Sequence, residues 1–433
     1  MKQQMQGNVV TAKRGNWVKY TASVVDQGLL SGLNFLIGLA LIRFATKETY
    51  GLYSQLFGVG LLITTLLDSL IGSALTTLSA RLPTVERAVF VARAARIQWA
   101  ASAVLAVISG LGVGVAAVAL ELSATPVVLG LSFSAFIFAL GCREYCRTAL
   151  FIESHPEAVV KLDFVFVLVS VVGASSFLLL DHIEVSQIFL LLALSNGIAA
   201  LLFSLVLWRG AGPGLTWKTY QGDATQLWEL SRWAVLGCVL SWLGNNSYLY
   251  FAGGIAGVAA LADLNAARLL LIPIVIVGMG WERMAQPAMG RMIAGSEVVK
   301  LRSFVRKSVL VLEVFTIGYV AVLLMAFPWL SVHVFGVKYG NLSTLMLLWG
   351  GYFAFNGARK VGTVLLTSYG SFRVMFWQGV VSLVILIIAT LGLTPAFGVM
   401  GALVAMIIAE IWTLLVTYVY MLPRAKAQQL SLE

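Results

Sequence analysis

The sequence contains few charged residues. Only 11% of its 433 residues are Asp, Glu, Lys or Arg, 60% are hydrophobic, and the mean hydropathy is +0.92. Soluble domains have about 25% charged residues, so this chain has too little polar surface to face water. We therefore predict an all-α polytopic membrane protein whose main solvent is the bilayer.

Histidine, cysteine and nucleotide-binding motifs are also scarce or missing. The three histidines are scattered, so the sequence lacks the clustered ligands of a zinc site. The phosphate-binding pattern G-x-x-x-x-G-K-[ST] does not occur. We interpret Cys142, Cys146 and Cys238 as small packing residues. These absences predict no cofactor and no metal site.

Apolar runs of membrane-spanning length are abundant. A helix needs about 20 mostly apolar residues to cross the hydrocarbon core, and we find twelve such runs, largely apolar on all sides. The polar segment before the first run and the length of that run argue against a cleavable signal peptide. The runs are Tyr20–Ile42, Leu52–Leu78, Gln98–Leu120, Val127–Phe151, Leu162–Leu180, Val185–Trp208, Leu227–Ala252, Val258–Trp281, Val309–Leu330, Ser343–Leu366, Met375–Leu393 and Met400–Tyr420.

The basic residues predict the orientation of these spans. With a cytoplasmic N-terminus, alternating spans place nearly all of the 29 lysines and arginines in cytoplasmic segments. Only Arg43, Lys47 and Lys338 then lie outside, and Arg268 falls within a span. Because cytoplasmic loops carry an excess of Lys and Arg, both termini are predicted to be cytoplasmic. Topology explains the net charge of +10, so no nucleic-acid partner is predicted.

The longest polar interruption, residues 209–226 (RGAGPGLTWKTYQGDATQ), lies near the middle of the chain. Its glycines and proline favour turns, which predicts a cytoplasmic linker. The predicted domains are two six-helix lobes, residues 1–208 and residues 227–433. An even number of spans gives both lobes the same orientation, as in transporters built from parallel repeats.

Three segments carry motifs in a recognisable order. In LNFLIGLALIRFATKETYGLYSQLFGV (Leu33–Val59), a helix ends in Arg-Phe before a short outer loop and Tyr-Gly-Leu-Tyr. CREYCRTALFIESH (Cys142–His155) is a basic cytoplasmic helix end. The region Glu229–Pro273 has an Arg-Trp entry, a Gly-rich outer turn and an Ala-rich helix before a proline. In this order they resemble polysaccharide exporters of the O-antigen flippase type, within the superfamily of multidrug, oligosaccharidyl-lipid and polysaccharide flippases.

The resemblance implies a V-shaped pair of six-helix lobes with a MATE/flippase-like fold in a bacterial inner membrane. It also implies transport of an isoprenoid-pyrophosphate-linked oligosaccharide to the outer leaflet during cell-surface polysaccharide biosynthesis, such as that of lipopolysaccharide O-antigen. The implied partners are the lipid-linked glycan, membrane lipids, and a polysaccharide polymerase with chain-length regulators. A cation-coupled multidrug antiporter of the same superfamily is the alternative. A glycan polymerase or ligase is a remote one, because every outer loop is short.

Arg268 is the first candidate for a substrate-binding residue. It lies about 15 Å into the eighth run at 1.5 Å per residue, near the middle of the membrane. Intramembrane ionisable residues are costly and therefore functional candidates. A guanidinium offers paired donors to a pyrophosphate. The alternative is a structural ion pair with Asp263, Asp68 or Glu410.

Acidic residues inside the runs are candidates for ion coupling. Asp26 and Asp68 lie in the first and second runs, and Glu410 lies in the twelfth. Each carboxylate either binds a coupling proton or cation, or is satisfied by a neighbouring helix.

The fourth and tenth runs occupy matching positions in the two halves and carry basic pairs. Arg143 with Arg147, and Arg359 with Lys360, are predicted to ring the cytoplasmic mouth of the cavity and attract an anionic lipid. The alternative is that they determine topology or extend to lipid phosphates.

Three residues of the seventh run are candidates for contacts with sugars. Asn245 and Asn246 offer hydrogen bonds to a glycan, or else bond to adjacent helices. Trp242 lies deeper than the interfacial tryptophans and is a candidate for stacking against a sugar ring.

Overall fold

A computed structural model describes residues 28–179, 183–208, 217–335, 339 and 342–424. Within these ranges the chain is helical and forms no strand. The helices before residue 209 are α1 (Gly28–Phe44), α2 (Lys47–Leu67), α3 (Ser73–Ser79), α4 (Thr84–Ala119), α5 (Pro126–Ile152), α6 (Pro156–Ser175) and α7 (Val185–Trp208). A π-helical turn, Asp68–Gly72, joins α2 to α3. Prolines begin α5 and α6, where a missing backbone N–H leaves no helical bond unmade.

Six further helices follow. They are α8 (Trp217–Ala256), α9 (Val258–Leu270), α10 (Ile272–Ala294), α11 (Val298–Leu330), α12 (Ser343–Ser368) and α13 (Phe372–Val416). Helix α13 contains the eleventh predicted run and most of the twelfth, and it is broken between them at Gly398, where φ is +58°. Glycine adopts this left-handed backbone conformation without steric cost. A π-helical turn, Thr417–Met421, continues the helix.

The predicted all-helical membrane fold is confirmed. All twelve apolar runs coincide with helices wherever the structure describes them, and the start of the first run lies outside the described residues. Among the described residues, seven helices are long and apolar enough to cross a membrane, or eight with α9 and α10, which meet at 51°. The number of twelve spans is consistent with this architecture, in which α13 holds two of the predicted runs.

Apolar side chains cover the outer faces of several helices. On α4, Leu111, Val115 and Val118 are 67%, 68% and 64% exposed. Such a surface is unfavourable in water and suits contact with lipid tails. The chain is therefore a multi-pass membrane protein.

Residue contacts divide the chain into two compact units. Unit 1 holds Met1–Ala45 and Leu56–Cys238, and unit 2 holds Thr46–Gln55 and Val239–Glu433. Helices α2 and α8 each contribute to both units, because the divisions fall within them.

Helix α8 begins within the segment predicted to be a linker. Residues 209–216 lie outside the described residues, but the helix begins at Trp217, so the segment 217–226 is helical. Two side chains of this segment, Asp223 and Tyr220, accept hydrogen bonds from Arg93 and Arg96 of α4. These contacts lie within unit 1 and stabilise a helical segment whose composition alone favours a loop.

Unit 1 has its core around α5, which packs against both α4 and α7. A Cβ atom on Gly130 would lie 2.7 Å from the carbonyl oxygen of Gly110, so the backbones of α4 and α5 approach closely here. Small residues permit this mode of helix packing in membranes. The ring centroid of Phe189 lies 5.1 Å from that of Phe133 and 5.2 Å from that of Phe136.

Unit 2 has its core around α12, which packs against α10, α11 and α13. Trp349 is 1% exposed and stacks on Phe353 with ring centroids 5.6 Å apart. Its indole N–H donates to the carbonyl oxygen of Leu264 at 3.0 Å, which satisfies its polar atom in the apolar interior.

Candidate functional site

A cavity of about 420 Å³ lies within unit 1. Residues of α1, α2, α4, α5, α6 and α7 form its wall, together with the π-helical turn. Four charged side chains border it: Asp68, Arg143, Glu144 and Arg147. The structure therefore places three of the predicted site residues, Asp68, Arg143 and Arg147, around one space.

The two arginines of this cavity belong to a network of ion pairs. Arg143 lies 2.6 Å from a Glu144 oxygen and 3.7 Å from Asp163. Arg147 lies 2.8 Å from each of the same two carboxylates. The Arg143 guanidinium also covers the Phe166 ring at 3.9 Å. Glu144 and Asp163 thus compensate both positive charges, and recruitment of an anion by these arginines stays a prediction.

Asp68 begins the π-helical turn that follows α2. Its carboxylate accepts a 3.4 Å hydrogen bond from Ser73 and borders the cavity, and the residue is exposed. π-Helical turns within helices are frequent at functional sites. The geometry thus presents Asp68 to the cavity, while its role in ion coupling stays a prediction.

Arg268 is held by aromatic residues of unit 2. Its Nη1 donates to the hydroxyl of Tyr248 at 2.5 Å, and the guanidinium lies 5.8 Å from the Tyr248 ring and 5.5 Å from the Trp349 ring. Its candidate partners within unit 2 are engaged elsewhere. Asp263 pairs with Lys47 at 2.6 Å, and Glu410 pairs with Arg359 at 2.5 Å. Within the described part of unit 2, no carboxylate lies at ion-pair distance from Arg268.

The basic pair of α12 is matched by acids. Arg359 donates to the Glu410 carboxylate, which also accepts a 2.8 Å hydrogen bond from Asn356. Lys360 lies 3.5 Å from Glu282. Glu410 is therefore a paired carboxylate in this structure. Its predicted ion coupling, and the predicted substrate contacts of Arg359 and Lys360, stay predictions.

The asparagines of α8 bond to their own helix. The amide nitrogens of Asn245 and Asn246 donate to the carbonyl oxygens of Ser241 and Trp242, at 2.7 and 3.1 Å. Both side-chain oxygens keep acceptor capacity, so contacts with a sugar stay a prediction.

Trp242 lies beside Tyr250, with the ring centroids 5.5 Å apart. Its indole N–H is buried and has no hydrogen-bond partner among the described residues. Its predicted stacking on a sugar is untested. Asp26 lies outside the described residues.

The structure adds site residues that the sequence reading missed. Asp163, Glu144 and Glu282 neutralise the predicted cations, and Tyr248 and Trp349 hold Arg268. The sequence contained a signal for the three acids, because each lies in or beside an apolar run, where a charged residue is costly. The aromatic partners of Arg268 required the tertiary fold.

Comparison with known proteins gives a likeness of fold. No protein-family model matches the sequence, and a search of curated proteins finds no match. An inward-facing multidrug resistance MATE family transporter of the MOP superfamily matches with a TM-score of 0.72 at 13% identity, over 91% of this chain and 94% of that chain. The lipid II flippase MurJ, in an inward closed conformation, matches with a TM-score of 0.71 at 10% identity, over 92% and 86%.

A MOP superfamily transporter from Pyrococcus furiosus also matches, with a TM-score of 0.57 at 14% identity over 95% of this chain and 93% of that chain. At such low identities the similarity concerns the fold. The chain has the all-helical fold seen in these MATE and MurJ structures.

Proposed function

We propose that this protein is a flippase that moves an isoprenoid-pyrophosphate-linked oligosaccharide from the cytoplasmic to the outer leaflet by alternating access. The observation that carries the proposal is Arg268, an intramembrane cation without a carboxylate at ion-pair distance in the described part of unit 2. A charge at the centre of a helix costs about 2.5–3.5 kcal/mol on insertion scales. A mobile anion that binds there would offset this cost.

The surroundings of Arg268 suit a ligand that arrives and departs. The hydrogen bond to Tyr248 and the flanking aromatic rings orient the guanidinium without neutralising its charge. One guanidinium nitrogen of Arg268 donates to Tyr248. The other N–H groups of the planar guanidinium remain available to donate to two oxygens of a phosphate. A pyrophosphate head group therefore fits this site better than a neutral or cationic solute.

Outward movement of an anion is favoured by an inside-negative membrane potential. Each charge gains about 2.3 kcal/mol per 100 mV when it crosses the full field. A dianionic head group would gain about twice that amount. The proposed transport therefore requires no nucleotide-binding domain, which agrees with the lack of a Walker-type glycine loop in the sequence.

A cation-coupled multidrug antiporter is the second candidate, and the cavity of unit 1 supports it. Three carboxylates, those of Asp68, Glu144 and Asp163, lie at or behind its wall, against the two arginines Arg143 and Arg147. A surplus of negative charge suits a cationic drug. Arg268 opposes this reading, because an uncompensated cation repels such a substrate.

Reconstitution in liposomes tests the proposal. The probe is an undecaprenyl-pyrophosphate-linked disaccharide with a fluorescent label on the sugar, and the measurement is the rate at which the label passes between leaflets. Arg268→Ala is expected to reduce this rate at least tenfold, because a charge-assisted hydrogen bond contributes about 1.5–3 kcal/mol. Arg268→Lys keeps the positive charge but loses the paired donors of the planar guanidinium, so an intermediate rate is expected.

The matched control is Arg302→Ala, which removes an exposed arginine near the start of α11. It should leave the rate unchanged. Equal rates for Arg268→Ala and the unaltered chain would refute the proposal. Ethidium export by vesicles that do not move the glycan lipid would favour the antiporter.

A further inference from the structure

The cavity of unit 1 is built differently from the site at Arg268. Its two guanidinium groups are each within ion-pair distance of Glu144 and of Asp163. Asp163 is fully buried behind them, so this compensation is permanent unless the core opens. Because carboxylates balance both positive charges, an incoming phosphate gains little net attraction to these arginines. These arginines therefore act as fixed hydrogen-bond donors and not as free positive charges.

The remaining charge of the cavity is negative. Asp68 borders the space and has a single described hydrogen bond, the 3.4 Å contact from the Ser73 hydroxyl. With Asp68 included, three carboxylates stand against two guanidinium groups. An anionic group in this space meets like charge, which is a common means of excluding a wrong ligand.

The rest of the wall mixes neutral polar and aromatic groups. Asn34, Thr64, Thr148 and Asn196 supply amides and hydroxyls. The Asn196 amide nitrogen donates to Leu192 at 2.6 Å, which leaves its buried Oδ1 without a hydrogen-bond partner among the described residues. Paired acids and bases, amides and hydroxyls offer both donors and acceptors, as sugar hydroxyls require.

Two phenylalanines supply flat apolar surface to the same space. Phe57 and Phe136 border the cavity and stack on each other, with ring centroids 6.3 Å apart. Flat apolar faces suit the C–H surface of a sugar ring. The volume of about 420 Å³ falls within the ~300–1,000 Å³ typical of small-molecule sites.

We propose that the cavity of unit 1 is a subsite for an uncharged sugar residue of the transported glycan, and that Asp68 excludes sugars bearing a carboxylate. The inference rests on the proposed flippase function and specifies part of its substrate. In this proposal the unit 1 cavity selects the sugar by its lack of negative charge.

Thermal unfolding of the purified full chain in detergent, followed by tryptophan fluorescence, tests the inference. The probes are three soluble disaccharides: diacetylchitobiose, which is uncharged, its deacetylated cationic form, and a hyaluronan disaccharide, which carries a uronate. A ligand that binds only the folded state raises the unfolding temperature in a concentration-dependent way. We expect such a rise with diacetylchitobiose and none with the uronate.

Variants locate the effect. Asn34→Leu combined with Thr64→Val removes polar groups from the cavity wall, and should weaken the apparent affinity for diacetylchitobiose about tenfold, the loss of one ordinary hydrogen bond. Thr225→Val is the control, because the Thr225 hydroxyl is exposed, lies outside the cavity wall and donates to the carbonyl oxygen of Gln221 in its own helix. Asp68→Lys reverses the surplus charge and should allow the uronate disaccharide to stabilise the protein.

Several results would overturn the inference. They are stabilisation by the uronate equal to that by the uncharged sugar, preference for the cationic sugar, no stabilisation by any probe, or an equal loss in Thr225→Val. If the wall variant does not fold, the three probes on the unaltered chain and on Asp68→Lys still decide. If the protein binds the uncharged sugar but does not transport the glycan lipid, the flippase proposal is refuted and this inference is not. If it transports the glycan lipid but binds charged and uncharged sugars equally, this inference is refuted and the flippase proposal is not.

Discussion

Arg93 and Asp223 form a two-pronged ion pair within unit 1. Arg93 Nε lies 2.6 Å from Asp223 Oδ2, and Nη2 lies 3.0 Å from Oδ1. The Asp223 side chain is 8% exposed and that of Arg93 is 22% exposed, so water screens the pair weakly. The pair joins the N-terminal part of α4 to the first turns of α8, and thereby stabilises the helical structure of a polar segment.

Asp223→Ala should lower the free energy of unfolding by about 1.5–3 kcal/mol, the range for hydrogen bonds to charged groups. The measurement is unfolding by a denaturing detergent in mixed micelles. Glu297→Ala is the matched control, because its ion pair with Lys300 has side chains 41% and 71% exposed. Such surface pairs contribute about 0–1 kcal/mol. Equal effects of the two substitutions would contradict the structural role of Asp223.

Gly51 and Gly254 give opposite predictions for the same substitution. A Cβ on Gly51 in α2 would collide with the backbone carbonyl of Val258, whereas a Cβ on Gly254 in α8 has nothing within 4 Å. Gly51→Ala should destabilise unit 2 by about 1–3 kcal/mol through overpacking. Gly254→Ala should be neutral or stabilise it by about 0.4–1 kcal/mol, because alanine reduces the entropy of the unfolded chain.

The unfolding midpoints of these two variants and the unaltered chain provide the test. A Gly51→Ala variant as stable as the Gly254→Ala variant would show that the start of α2 does not pack against α9 as described here.

The membrane-embedded parts of the fold were predictable because hydropathy directly reports burial in lipid. The helical extensions were not. The third apolar run begins at Gln98, but α4 begins at Thr84, since hydropathy identifies the spanning segment and not the helix. Residues 217–226 have the composition of a linker, yet contacts with α4 make them helical. In the segment 217–226, tertiary contacts override the local composition, whereas the extension of α4 is rich in alanine and arginine, which favour a helix.

The sequence alone also did not predict which charges of the candidate site are paired. The count of cations that predicts the orientation ignores Glu144, the acid that lies between Arg143 and Arg147 of the cavity wall. Asp163 lies at the edge of the fifth predicted run and received no role. Whether a buried charge is compensated depends on which helices are neighbours, and one sequence does not supply that information.

The pair of Arg359 and Glu410 should act as a unit. Their atoms lie 2.5 Å apart, and the side chains are 23% and 11% exposed. Glu410→Ala leaves Arg359 uncompensated and should cost about 3–5 kcal/mol of stability. Replacing both residues, by Arg359→Met with Glu410→Leu, should restore most of the stability, because apolar residues of similar volume often replace a buried pair without loss.

Stability and transport of the glycan lipid are both measured for these variants. A charge-balanced double variant is expected to transport. If it folds with normal stability but does not transport, the pair is not only structural, and either the predicted substrate contact of Arg359 or the predicted ion coupling of Glu410 is required.

Asp163 should be the most sensitive acid of unit 1. It is fully buried, and both Arg143 and Arg147 depend on it for compensation. Asp163→Asn keeps the shape but leaves the network with one carboxylate for two guanidinium groups. The expected cost is about 3–5 kcal/mol, measured as a loss of monodisperse protein on fluorescence-detected size exclusion and as a lower unfolding midpoint.

Two comparisons make this prediction specific to the network. Asp68→Asn, at an exposed carboxylate of the same cavity, should change stability by less than about 1 kcal/mol. Adding Arg147→Gln to Asp163→Asn removes the surplus cation, and should recover part of the lost stability because charge balance returns. Charge balance alone predicts that the double variant is more stable than Asp163→Asn. If it is instead less stable, hydrogen bonds from Arg147, and not charge compensation, hold α5 to α6.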